Sequence, residues 1–335
     1  MSRFMKVKIF AVFAVVFAML AFSGHDADAS SKKVYVTNAG NNTVSAIDTS
    51  SNKVVMTVRV GVWPAGIAID RDSGRAYITN SSEGDSTVSV IDLKSNSELA
   101  KIKVGTSPMN AAVDASTKRA FVTNTEDPAQ TITVIDLAKN TVKGTVKVGA
   151  GPFDLGIVGM KLFVSNVGEN TVAVIDITPG NILKVTEKIK VGALPVNMDV
   201  DPASGRVYVA NHGDNAVTVI DAASNKVTAT VKVGTKPWDL ALDSANKRLY
   251  VTNRFGDSVS VIDTSSNKVV NTIKVGKEPI GIAVDSGSKK LYVVNHADVS
   301  LSVIDTASNK ITGTVKLAPS TDSNYAGSPW SVAVF

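Results

Sequence analysis

Two histidines and an arginine occupy matching points along this chain: His212, Arg254 and His296 each follow an asparagine that closes a short apolar run. An imidazole in a cleft can act as a general base, and a guanidinium can hold a carboxylate or an oxyanion. Glu278 or Asp239 could orient the imidazole, which completes a candidate catalytic set of His212, Arg254, His296, Glu278 and Asp239. Asn197, Asp199, Lys236, Trp238 and Phe255 extend it into a candidate pocket for an anionic small molecule or a peptide terminus. The chain has three histidines, and the two beyond its first 29 residues both fall in this sector. The plainer reading comes first: each side chain is a loop or strand-start residue bonded to a neighbour's backbone. Two histidines with Asp or Glu could also ligate zinc, but they lie two repeats apart and would need long loops to converge. There is no phosphate-binding loop, Gly-x-Ser-x-Gly or His-Glu-x-x-His, and no cysteine, so the sequence calls for neither cofactor nor metal.

The elements that must position these residues are written as a repeat. An apolar strand ends in aspartate seven times, at Asp48, Asp92, Asp136, Asp176, Asp221, Asp263 and Asp305. In step with it, a second strand ends in asparagine, at Asn38, Asn80, Asn124, Asn166, Asn211, Asn253 and Asn295. Successive anchors lie roughly 40–45 residues apart, the period of propellers and solenoids. The unit after Pro237 predicts four short strands, Trp238–Leu242, Arg248–Thr252, Ser258–Ile262 and Lys268–Val275. They are rich in Val, Ile, Leu and Tyr and are separated by Asp, Ser, Asn and Gly turns. Four antiparallel strands per repeat make a propeller blade. The first blade has only its last three strands near the N-terminus, and Ser328–Phe335 supplies the missing one. The expected fold is therefore all-β, a seven-bladed propeller over residues 30–335 whose ring is closed by the C-terminal strand.

Tyr35-Val-Thr-Asn38, Phe121-Val-Thr-Asn124 and Tyr250-Val-Thr-Asn253, each followed by an Ile-Asp strand and then Val-Gly-x-x-Pro, resemble the YVTN family of β-propeller repeat proteins. The resemblance covers nearly all of the chain after residue 29. It implies an exported bacterial or archaeal protein, often linked with the cell surface or periplasm. More distantly the repeat is similar to lactonase-type propellers and amine-dehydrogenase heavy chains. These relatives imply several functions and select none.

Repeat order assigns the loops to faces. The Val-Gly-x-x-Pro linkers and the segments after each anchor asparagine share one face, here called the top. The second residue after each proline is Gly66, Asn110, Asp154, Asn197, Asp239, Gly281 or Ser331, a set expected to gather at the channel's upper mouth. Two positions further on stands Ala or Gly in every blade except at Asp199. Trp63, Trp238 and Trp330, beside prolines, read as inter-blade packing or as ligand stackers. Arg75, Arg119, Arg206, Arg248 and Lys290 would place a basic ring at the bottom, either solvated or facing an anionic polymer. Cations on the outermost strands, such as Lys101, Lys232 and Lys274, read as protection of exposed sheet edges.

Residues 1–29 have the layout of a secretory signal peptide. Arg3, Lys6 and Lys8 precede the apolar run from Ile9 to Phe22, and Ala27-Asp28-Ala29 marks a cleavage site. Export to the periplasm, cell surface or medium is the expectation, with no transmembrane segment in the mature chain. The net charge of +5 is mildly basic and does not by itself specify nucleic acid. Three functions remain open at the level of sequence. The first is a monomeric recognition scaffold for a protein, peptide or envelope polymer. The second is a hydrolase or isomerase acting on a small anionic substrate at blades 5–7, and the third is a nucleic-acid binder.

Overall fold

The computed structural model describes residues 32–318 and 329–335, apart from 83, 127 and 129. The expected signal peptide, residues 1–29, lies outside the described residues. Seven four-stranded antiparallel sheets form the blades of a β-propeller. In blade 6 the strands run Pro237–Asp243, Arg248–Asn253, Ser258–Asp263 and Lys268–Lys274 from the axis outward. Blade 1 takes its inner strand, Pro329–Val334, from the C-terminus and its other three from Lys33–Asn38, Thr43–Asp48 and Lys53–Arg59. The ring is therefore closed by strand pairing between the two ends of the described chain. Among the described residues no helix is long and apolar enough to cross a membrane.

The repeated words now have physical meanings. The aromatic that opens each Tyr-Val-Thr-Asn phrase is fully buried: Tyr35, Tyr77, Phe121, Phe163, Tyr208, Tyr250 and Tyr292. The anchor asparagine is also buried and donates from Nδ2 to hydroxyls of the next strand, as Asn253 does to Ser258 at 3.1 Å and Ser260 at 3.0 Å. The linker glycine lies on that amide, and a Cβ at Gly234 would fall 2.5 Å from Asn253 Cγ. The closing aspartate caps the turn that follows: Asp263 Oδ1 accepts the Ser265 and Ser266 N–H groups. The asparagine after it takes the left-handed conformation, with φ of 54° at Asn267.

Every inner strand carries a bulge just after its proline. In five blades the Thr or Ser of the phrase fills the gap and reaches the next blade. Thr252 Oγ1 accepts the Asp239 N–H at 2.9 Å and donates to Ile280 O at 3.1 Å. Thr37, Thr79, Thr123 and Ser165 make the same bond to Ala65, Met109, Phe153 and Val196. Blades 5 and 7 have Ala210 and Val294 there, with no hydroxyl.

Three of the five expected bottom cations, Arg119, Arg206 and Lys290, reach across to the next blade, and Lys161 does the same. Arg119 donates to Ile177 O and is buried, and Arg206 donates to Thr264 O at 2.6 Å. Lys290 donates to Thr49 O, and Lys161 to Ala222 O at 2.7 Å. Each acceptor is the residue after the closing aspartate of the next blade, so these charges join blades together. Arg248 pairs with Asp263 of its own blade at 2.5 Å.

Candidate functional site

The bulges sort the residues after each proline into two layers. The first residue after proline closes the top of the channel, and the second lies beneath it. Trp63, Trp330, Trp238 and Phe153 form an unbroken chain of edge-to-face rings with centroids 5.7–6.1 Å apart. Trp330 and Trp238 belong to blades 1 and 6, which are not neighbours, so their rings meet over the axis. Such contacts add to the area they bury. The tryptophans thus pack on one another and on Phe153 across blades.

His212, Arg254, His296, Trp238, Phe255 and Glu278 lie in this top layer. Nδ1 of His212 is 3.1 Å from Pro237 O, and Nδ1 of His296 is 3.2 Å from Pro329 O. A carbonyl only accepts, so each Nδ1 carries the proton and the neutral ring presents Nε2 as its acceptor. Thr125 makes the equivalent bond in blade 3, to Pro152 O at 2.7 Å. The expected orienting carboxylates do not reach the imidazoles' Nδ1, because a proline carbonyl holds that place. Burial lowers the His212 pKa, and the Lys236 and Arg254 charges lower it further, while the Pro237 bond opposes them. Burial also lowers the His296 pKa, with Arg254 adding to the effect and the Pro329 bond and the Glu278 charge opposing it. Both shifts favour the neutral ring.

Arg254 is held on three sides. Its guanidinium lies over the Trp238 ring at 5.1 Å and the Phe255 ring at 5.2 Å, and Glu278 Oε2 accepts from Nη2 at 3.0 Å. Lys236 and Glu278 precede prolines with φ of 55° and 48°, and their carbonyls accept the Arg254 and His296 N–H groups. Phe255 is 56% exposed and stands furthest into solvent.

Asn197, Asp199 and Asp239 do not join this group. With Asn110 and Asp154, Asn197 and Asp239 line a polar cavity of about 220 Å³ inside the channel, under Trp238 and Trp330. The expectation that these residues gather at the upper mouth is corrected: the bulge aims the preceding residue there and turns them inward. Asn110 Nδ2 donates to Asn197 Oδ1 at 3.0 Å, and Asn197 Nδ2 donates to Trp238 O at 2.9 Å. Three carboxylates join consecutive inner strands. Asp154 accepts the Met198 N–H, Asp199 the Leu242 N–H and Asp239 the Ile282 N–H, at 2.7, 2.7 and 3.2 Å. This bond accounts for Asp199 where other blades have Ala or Gly. Burial raises the Asp154 pKa to about 7 and the Asp199 pKa to about 6. Asp239 is pushed well above the usual carboxylate range, by burial first and by the Asp154 charge second.

Sequence reasoning missed a cavity on the other side of the top face. It measures about 390 Å³ and is lined by Trp63, Ser81, Ser107, Met109, Glu126 and Trp330, among others, from blades 1–3. One signal pointed to it: Trp63 is a bulky residue at a left-handed position, φ 55°, where blade 4 has Gly151.

The YNCE-like beta-propeller family matches residues 112–287, more than half of the chain. The chain belongs to this family. Several solved structures share the propeller fold. Kuenenia stuttgartiensis hydrazine synthase is 22% identical with a TM-score of 0.72, over 82% of this chain and 92% of that one. A Desulfotomaculum acetoxidans protein of unknown function is 16% identical with a TM-score of 0.76, over 91% and 99%. A candidate 6-phosphogluconolactonase from Bacteroides uniformis is 12% identical with a TM-score of 0.77, also over 91% and 99%. At these identities the likeness is one of fold. No curated protein matches the chain.

Proposed function

We propose that this YNCE-like propeller is an exported recognition scaffold that binds a protein or peptide through its top face and catalyses nothing. The observation that carries the proposal is the aromatic platform of Trp63, Trp330, Trp238 and Phe255, flanked by the Arg254–Glu278 pair. Aromatic and arginine side chains on a rigid surface are the groups that dominate binding energy at protein interfaces. The polar groups that suggested catalysis act here as struts. His212 and His296 each hold the next blade's proline carbonyl, and Arg254 is spent on its own pair. The basic leader, apolar run and Ala-x-Ala site support export.

Panning a random-peptide library against the full chain tests the proposal. The selected peptides should lose affinity when Phe255→Ala and Trp63→Gly are combined, and keep it when bottom-face Lys53 is changed to Ala. Peptides that ignore the top-face changes would contradict it. So would turnover of 6-phosphogluconolactone well above the buffer rate by the purified chain.

A further inference from the structure

We infer that the cavity between blades 1, 2 and 3 receives an arginine side chain of the partner; this rests on the recognition reading above. Trp63 and Trp330 meet at 76° with centroids 6.1 Å apart, so their rings form two walls of a corner. Met109 adds a polarisable wall, and Ser81 and Ser107 line the same space. Glu126 supplies a carboxylate, held in place by Ser107 Oγ at 2.7 Å. Among the described residues lining this cavity there is no lysine, arginine or histidine. Aromatic faces with one carboxylate and neutral hydroxyls suit a cation with a planar or apolar body. They do not suit the anionic ligand expected at blades 5–7.

The other side of the same face shows how such a site looks when filled. There Arg254 lies over Trp238 and Phe255 and pairs with Glu278. Arg254 directly follows the anchor asparagine of blade 6; the residues at that position in blades 2 and 3 are Ser81 and Thr125. Small side chains at these points leave open the volume that a guanidinium occupies in blade 6. A planar guanidinium can stack on an indole while presenting its N–H groups to the carboxylate, which an ammonium cannot do. Trp63 holds its place in a backbone conformation that bulky residues seldom adopt. Every described residue before a blade's proline, Gly151 included, takes the same left-handed turn, so the strain belongs to the turn and the choice of tryptophan is the local feature.

The test is calorimetric titration of the full chain with acetyl-Gly-Arg-Gly-amide, with its citrulline counterpart, with the lysine peptide and with guanidinium chloride. The arginine peptide should bind saturably with a Kd of about 1 mM or tighter, and the uncharged citrulline peptide about tenfold more weakly. Glu126→Gln and Trp63→Gly should each weaken arginine binding by about tenfold or more. Trp63→Gly removes the ring at a position whose turn suits glycine, so the fold should persist while melting falls modestly from the lost packing on Trp330. Lys53→Ala, on the bottom face, should leave this binding unchanged. Equal affinity for citrulline, indifference to both cavity variants, or no binding at about 20 mM peptide would overturn the inference. Binding of guanidinium chloride without the peptide would overturn the assignment to a partner's side chain. Tighter binding of the lysine peptide would overturn the choice of arginine. Library peptides that bind the top face without any arginine would sink this inference while leaving the scaffold reading standing.

Discussion

His212 supplies, two residues later, a link to the next blade that Ala210 omits. In five blades a Thr or Ser hydroxyl at the Ala210 position bonds the following inner strand, for example Thr252 to Ile280 O at 3.1 Å. Ala210 cannot, and His212 Nδ1 lies 3.1 Å from Pro237 O of that strand. Val294 and His296 repeat the pairing in blade 7, where His296 Nδ1 lies 3.2 Å from Pro329 O. The two blades without the hydroxyl are the two that carry a histidine.

His212→Ala should therefore cost about 1 kcal/mol of stability, the ordinary net worth of one hydrogen bond. Adding Ala210→Thr should restore roughly half of this, because the new hydroxyl can reach Trp238 O. Denaturant melts of the four proteins in the cycle check both numbers. A histidine whose loss leaves melting unchanged is not a strut.

Removing residues 329–335 deletes the inner strand of blade 1 and exposes the buried faces of Val34 and Val36. The truncated chain should unfold at a lower temperature and self-associate, since an open ring presents unpaired strand edges. Calorimetry with light scattering checks this; a monomer that melts like the intact chain would refute closure by strand pairing.

The channel carboxylates make stability depend on pH. Burial raises the folded pKa of Asp154 to about 7, whereas an unfolded aspartate titrates near about 3.9. The folded state thus binds more protons between these values, and this group's contribution to stability falls as pH rises through that window. Asp199, at about 6, acts in the same direction. Asp154→Asn keeps an oxygen for the Met198 N–H and removes the charge. It should raise stability at pH 8 by roughly 2 kcal/mol and flatten the melting profile between about pH 4 and 7. Below about pH 4, where folded and unfolded aspartate are both protonated, wild type and variant should be nearly equal.

Gly234 tests the packing of linker on anchor. Its added Cβ would lie 2.5 Å from Asn253 Cγ, whereas one at Gly84 meets nothing within 4 Å. Gly234→Ala should destabilise by about 2 kcal/mol and Gly84→Ala by less than about 0.5. Comparable melting of the two variants would contradict the steric role.

The strands, the ring closure and the sharing of the top face by linkers and post-asparagine turns were legible in the sequence, because each depends on local pattern. The layering of the channel was not. Asp239 lies beneath the mouth because a bulge after Pro237 aims Trp238 upward, and a bulge leaves no mark in residue type. The bottom clamps were hidden because Arg206 bonds a carbonyl of the next blade, 58 positions away. The cavity at blades 1–3 draws Trp63 and Trp330 together from opposite ends of the chain. The repeat served best as a ruler: it made His212 and His296 conspicuous, and the structure shows what each one holds.

The central claim is that these two histidines are struts beneath a binding surface. It is tested most directly by a chain carrying both His212→Thr and His296→Thr, the residue type that does this work at Thr125 in blade 3. Melting within about 1 kcal/mol of wild type, with full affinity for the top-face peptides, is the predicted result. A variant that melts like wild type yet loses affinity or a measurable turnover would show that the imidazoles act on a ligand, and would contradict the account.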